Sequence, residues 1–207
     1  MRWSLLATLF TLSLGSFYGI GCSTSVKNNT DELLYPDQIS DLRKRKDLDF
    51  KNNLSSPIPK KSREAFTGLK YFQISKNWKI DGELQVLTTG TPVRMTTTNG
   101  EISNMLLYAN ISFVLESQKH QLQGFVLMNS LSNELFIPFY DETNGSETYG
   151  GGRYLEIPFS DTSDSVTLDF NLAYNPYCHY NGLFSCPIPP IRNTLNAKIR
   201  AGEKKWY

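Results

Sequence analysis

From position 69 onward the chain alternates. Ile111, Phe113 and Leu115 take turns with Ser112, Val114 and Glu116, and Val166, Leu168 and Phe170 with Thr167, Asp169 and Asn171. A period of two marks a strand with one buried face. Further strands are predicted over 71–74, 83–87, 93–98, 120–128, 135–139 and 153–157, with a last one returning over 195–199. The punctuation agrees. Asn99-Gly100 is a hairpin signal, Gln118-Lys119 is placed to turn the next hairpin, and Gly124 is the natural place for a bulge. Many short strands separated by turn residues predict a mainly β, single antiparallel sandwich or barrel-like domain, without repeats, heptads or a second domain.

Before position 69 the pattern changes. Pro36-Asp37 opens a short predicted helix with Asp37 as N-cap and Ile39, Leu42 and Phe50 on its apolar side. The run Arg43-Lys44-Arg45-Lys46, flanked by Asp41, Asp47 and Asp49, reads as that helix's solvated face. The prolines of Ser55-Ser-Pro-Ile-Pro59 end it, and Ser62–Phe66 gives one short turn stopped by Gly68. Residues 23–34 are polar and aperiodic, as a tether is. After Asn171 the prolines and two cysteines replace alternation with a loop-rich C-terminal cap.

The N-terminus adds a location. No charge occurs between Arg2 and Lys27, and the apolar stretch Leu5–Leu14 closes on small residues before Cys22. This is the pattern of an export signal over residues 1–21, too short and too rich in Ser and Thr for a spanning helix. The residues before Cys22 resemble a bacterial lipobox, with Gly19 where an aliphatic residue is more usual. On this reading Cys22 carries an acyl chain such as palmitate, residues 22–36 tether, and residues 37–207 form the domain of a lipoprotein anchored in the cell envelope. An uncleaved anchor and an ordinary cleaved signal are the alternatives. Cys178 and Cys186 remain as an even pair, for which a disulfide is the default in an exported protein. Charge is balanced at 21 basic against 20 acidic residues, so there is no excess to neutralise phosphates and no nucleic-acid partner is expected.

Candidate chemistry concentrates in Asp141–Leu155, where Asp141, Glu147, Tyr149, Gly150, Gly151, Arg153 and Tyr154 lie between two apolar runs. Asp169, Asn171, Tyr174 and Asn175 are the residues expected beside them. One reading is a polar cleft with a glycine floor that lets a ligand approach the backbone. The other is a structural hairpin loop, in which Gly145 and Gly150–Gly152 supply positive φ and the acids accept backbone N–H bonds. A nest for an anion is conceivable. The glycines lead into a strand and not a helix, which removes the P-loop and dinucleotide readings. His120 and His179 supply too few ligands for zinc and no partner for a serine nucleophile. No metal and no cofactor is expected.

Taken together, Glu147-Thr-Tyr-Gly-Gly-Gly-Arg-Tyr-Leu155, Leu168-Asp-Phe-Asn171, Ala173-Tyr-Asn-Pro176, Cys178, Cys186-Pro-Ile-Pro-Pro190, Asn193 and Ile199-Arg-Ala-Gly-Glu203 resemble the signature of domain-of-unknown-function family 1684. Phe66–Phe72 and Pro138–Gly145 are similar to it upstream, so the resemblance runs from about Asp49 to Glu203. His179 stands where a small residue is expected, and the β-rich N-terminal section of longer relatives is missing. The resemblance implies kinship without an agreed activity. The expectation is therefore a non-catalytic binding or scaffolding module for a small molecule or an envelope protein. The alternative is an envelope hydrolase using Asp141, Glu147 or Asp169 with Arg153.

Overall fold

The computed structural model describes residues 29–128 and 133–207; the signal segment, Cys22 and the first part of the tether lie outside them. Helix α1 runs Asn29–Asn52 and α2 runs Lys60–Arg63. The strands are β1 Lys79–Thr96, β2 Ile102–Leu115, β3 Gln118–Leu127, β4 Glu134–Asp141, β5 Arg153–Pro158, β6 Ser165–Asp169 and β7 Thr194–Leu195. The sheet order is β5-β4-β3-β2-β1-β6, antiparallel throughout, with β7 added parallel to β4. The sheet curls until β5 and β6 approach each other. The fold is mainly β, as the alternation requires.

Two bulges give this sheet two working faces. The β1–β2 register slips between Val86 and Thr91, and the β2–β3 register slips at Tyr108. An extra residue turns every later side chain to the opposite side. Ala109, Ile111 and Leu122 therefore face the main core with Leu135, Ile137, Phe139, Leu155 and Leu168. Met95, Met105 and Phe125 build a second, smaller cluster that Leu107 and Phe136 pack against. Gly124 sits opposite the bulge, where a β-carbon would press on Leu135 at 3.0 Å.

Several local expectations change. α1 starts eight residues before Asp37, with Pro36 inside it. Tertiary contact outweighs the lost helical hydrogen bond: Tyr35 and Ile39 are buried on either side, and the Tyr35 hydroxyl donates to Asp169 at 2.7 Å. The inward stripe is Tyr35, Ile39, Arg43, Lys46 and Phe50, at helical spacing, while Leu42 is exposed. Half of the basic run thus points at the domain and not at solvent. The β2–β3 turn falls one pair earlier than expected, at Glu116-Ser117, whose φ values of 49° and 65° suit a two-residue hairpin. The stretch 71–74 makes only a single bridge, Tyr71 to Glu203. The return near 195–199 shrinks to two residues; beyond Leu195 the Ala197 carbonyl accepts the Glu142 N–H and the Ile199 N–H donates to the Asp141 carboxylate.

Candidate functional site

Arg153 begins β5 and is fully buried. Its Nη2 donates to Asp141 at 2.7 Å and to the Ile199 carbonyl at 2.8 Å, and its Nη1 donates to the carbonyls of Ala201 at 2.5 Å and Glu203 at 3.2 Å. The carbonyls of the tail at 199, 201 and 203 thus wrap the guanidinium. Burial pulls the guanidinium below its ordinary pKa, and Asp141 opposes that pull. Asp141 also accepts from the Thr143 N–H and hydroxyl, and Thr143 meets Thr148 at 2.8 Å. Asn144 closes the loop by donating to the Tyr149 carbonyl at 2.9 Å. Only Gly145 and Gly152 take positive φ there; Gly150 and Gly151 do not. Gly151 is instead required because the Tyr149 ring lies over it, with a ring carbon 2.4 Å from where a β-carbon would stand. Glu147 pairs with Arg200 in the open at 3.0 Å. Asp141 and Arg153 are closed to any solvent-borne substrate, and the loop does structural work.

The remaining sequence candidates lie elsewhere. A groove of about 870 Å³ opens between α1, the outer faces of β3, β4 and β5, and the cap. Tyr154, Asn171 and Tyr174 line it; Asp169 and Asn175 brace it from behind. Its walls are mostly apolar, including Leu42, Phe125, Leu127, Phe136, Leu172 and Phe184, with Glu134 and Glu156 among them. Tyr154 donates to the Pro187 carbonyl at 2.5 Å and Tyr174 to Glu156 at 2.9 Å, and burial raises both phenols. Asp169 is held by Tyr35 and by the Asn171 N–H and side chain.

The cluster of Arg43, Lys46 and Glu203 in the groove lining was not foreseen. Lys46 reaches Glu203 at 2.6 Å and lies over the Tyr174 ring. Glu203, itself buried, also accepts from the Asn175 N–H at 2.8 Å and the Tyr180 hydroxyl at 2.5 Å. Arg43 donates to the carbonyls of Phe72 at 2.9 Å and Asn171 at 3.2 Å and lies over Tyr71. The Tyr71 hydroxyl and Arg43 Nε are buried without a partner. The 4-4-3-4 spacing of Tyr35, Ile39, Arg43, Lys46 and Phe50 was the available signal, masked by the charge of the run.

In the cap, the expected disulfide is not formed. Cys178 and Cys186 are free thiols, with the Cys178 N–H on Cys186 Sγ at 3.1 Å. Cys178 belongs to a 3₁₀ turn, Tyr177–His179, and Cys186 is held to the β1–β2 turn through the Thr98 hydroxyl, so each sulfur is positioned by its own backbone. The Cys186 thiol's hydrogen bond draws Cys178 down to about 6 and pushes Cys186 up. His179 is buried among Tyr149, Tyr180 and Tyr207, and its Nε2 accepts the Trp206 N–H at 3.0 Å. Burial lowers it to about 4. Among the described residues no three His, Cys, Asp or Glu side chains are grouped to hold a metal ion.

The family described as "Protein of unknown function (DUF1684)" matches residues 64–204. The chain belongs to that family. An uncharacterized protein of Haloarcula marismortui, solved in solution by NMR, is 37% identical, with a TM-score of 0.68 over 85% of this chain and 97% of that one. No curated protein matches. The matched DUF1684 span contains the Arg153 network and the strands of the groove; α1, which supplies Arg43 and Lys46, precedes it.

Proposed function

We propose that this DUF1684 protein is a non-catalytic binding module, held in the cell envelope by lipid on Cys22, that takes a small amphiphilic molecule in the groove beneath α1. The observation that carries the reading is the groove itself: about 870 Å³, walled mainly by aromatic and aliphatic side chains, with Arg43, Lys46, Glu134, Glu156 and Glu203 as its charged lining. Ligand pockets share this size and this division of labour. The acids of the hydrolase alternative are all engaged in fixed hydrogen bonds or ion pairs, and no observation favours it.

The test uses the full chain in phospholipid nanodiscs, with empty discs as the blank, titrated calorimetrically with octanol. Saturable binding is expected in the wild type. Leu127→Glu places a charge on an exposed wall residue and should abolish binding at an unchanged melting temperature. Equal octanol binding by both proteins overturns the reading. For the anchor, mass spectrometry of the mature N-terminus should find an acylated Cys22; an unmodified terminus beyond it removes the lipid.

A further inference from the structure

We propose that Cys178 and Cys186 form a two-sulfur site for a soft monovalent cation, copper(I), in the cap. The site does not depend on any molecule in the groove. Both thiols are free, and the fold brings them together: the Cys178 N–H donates to Cys186 Sγ at 3.1 Å, and the two thiols are hydrogen-bonded to each other. Separate anchors hold them. Cys178 belongs to the Tyr177–His179 turn, closed by the His179 N–H on the Pro176 carbonyl at 2.9 Å. Cys186 is fastened to the β1–β2 turn at both its backbone groups. Its N–H donates to the Thr98 hydroxyl at 3.1 Å, and its carbonyl accepts the Thr98 N–H at 2.9 Å. A disulfide requires sulfurs about 2.05 Å apart, closer than these anchors leave them. An ion bound between two sulfurs spans a wider gap, and it suits a pair that stands at hydrogen-bond separation.

Thiolate sulfur is the soft ligand that selects copper(I). A filled-shell monovalent ion accepts linear coordination by two ligands, whereas a zinc site takes four. Among the described residues no third His, Cys, Asp or Glu side chain completes a larger set, and His179 Nε2 is already engaged by the Trp206 N–H. The outer contacts of the site are in place. Ligating groups are held by hydrogen bonds from a surrounding shell. Here Cys186 Sγ accepts the Cys178 N–H, and Cys178 Sγ faces the hydroxyls of Tyr149, at 3.9 Å, and Thr98. Cys186 is buried, while Cys178 is only half-buried and leaves the ion an approach from solvent. Binding forms two copper–sulfur bonds and releases the two thiol protons to water. The bound ion joins both ends of the loop 178–186, which carries Phe184 and Ser185 of the groove lining.

Copper(I) is supplied anaerobically as its bicinchoninate complex to the reduced full chain in phospholipid nanodiscs, with empty discs as the blank. Bleaching of the complex reads the transfer. The wild type should take up one copper(I) per chain, and X-ray absorption should show two sulfur neighbours and no nitrogen. Cys178→Ser and Cys186→Ser, both of which keep Cys22, should each hold the ion at least about tenfold more weakly. No uptake by the wild type, or equal uptake by the double variant, overturns the site. The neighbour count needs no variant that folds: three or more ligands, or any nitrogen, overturns the two-sulfur assignment. Displacement of the copper by equimolar zinc(II) overturns the choice of a soft monovalent ion. In protein purified without reductant both thiols should react with a thiol reagent, and a pair already closed as a disulfide overturns the inference.

Discussion

Two arginines divide the molecule. Arg153 is sealed, with one carboxylate and three carbonyls around it. Arg43 is half-buried at a groove, with two carbonyls and no carboxylate. Both are fixed by backbone oxygens, so both are rigid, and the difference lies in the counter-charge. A guanidinium whose carboxylate is built into the chain holds the chain together. One held only by carbonyls, with Glu203 and Asp169 acting on it from a distance, ties the helix to the sheet without a direct ion pair. Chemical density along the sequence therefore points to the sealed arginine: the crowded loop serves the fold, and the sparse helix face lines the groove.

The comparison breaks most directly at Arg153. Arg153→Met leaves Asp141 buried and unpaired and should cost about 3–5 kcal/mol, read as a lower denaturant midpoint; an unchanged midpoint would remove the structural role of the loop. Acid is the next test. His179 is depressed to about 4, so the unfolded chain takes up a proton before the native one does. The stability it protects is present above about pH 6.5 and is lost as pH falls toward 4, up to about 3 kcal/mol at 1.36 kcal/mol per unit. Melting temperatures across that window should fall, and His179→Gln should flatten the fall. Gly152→Ala comes third. Its φ of +87° and the Phe139 carbonyl 2.8 Å from a β-carbon should cost about 1–3 kcal/mol in the melting curve. The smallest effect belongs to the open Glu147–Arg200 pair: Arg200→Ala should change stability by about 0–1 kcal/mol. A loss as large as that of Arg153→Met would mean that the exposed and sealed parts of the loop act as one unit.

What each residue revealed in advance depended on the range of its interactions. Alternation placed β2 and β6, and Asn99-Gly100 placed the β1–β2 turn, because these signals are local. Tyr154, Asn171 and Tyr174 were legible as candidates by their position in the motif, and they do line the groove. Asp141, Glu147, Tyr149 and Arg153 were equally conspicuous and lie in a different network. Pro36 looked like a helix start because its missing N–H is a local fact; the Tyr35–Asp169 bond that carries the helix past it spans 134 residues.

By itself the sequence determined a mainly β domain, its family, and the one buried face that strand periodicity demands, since these follow from backbone geometry and the burial of alternate side chains; the second apolar face came from the bulges. Tertiary structure alone decided which charges are compensated. Arg153 meets Asp141 across a hairpin and three carbonyls of the C-terminal tail, whereas Arg43 meets only carbonyls from Phe72 and Asn171. Charge compensation depends on distances in space between segments far apart in the chain, and no local pattern of residues encodes them.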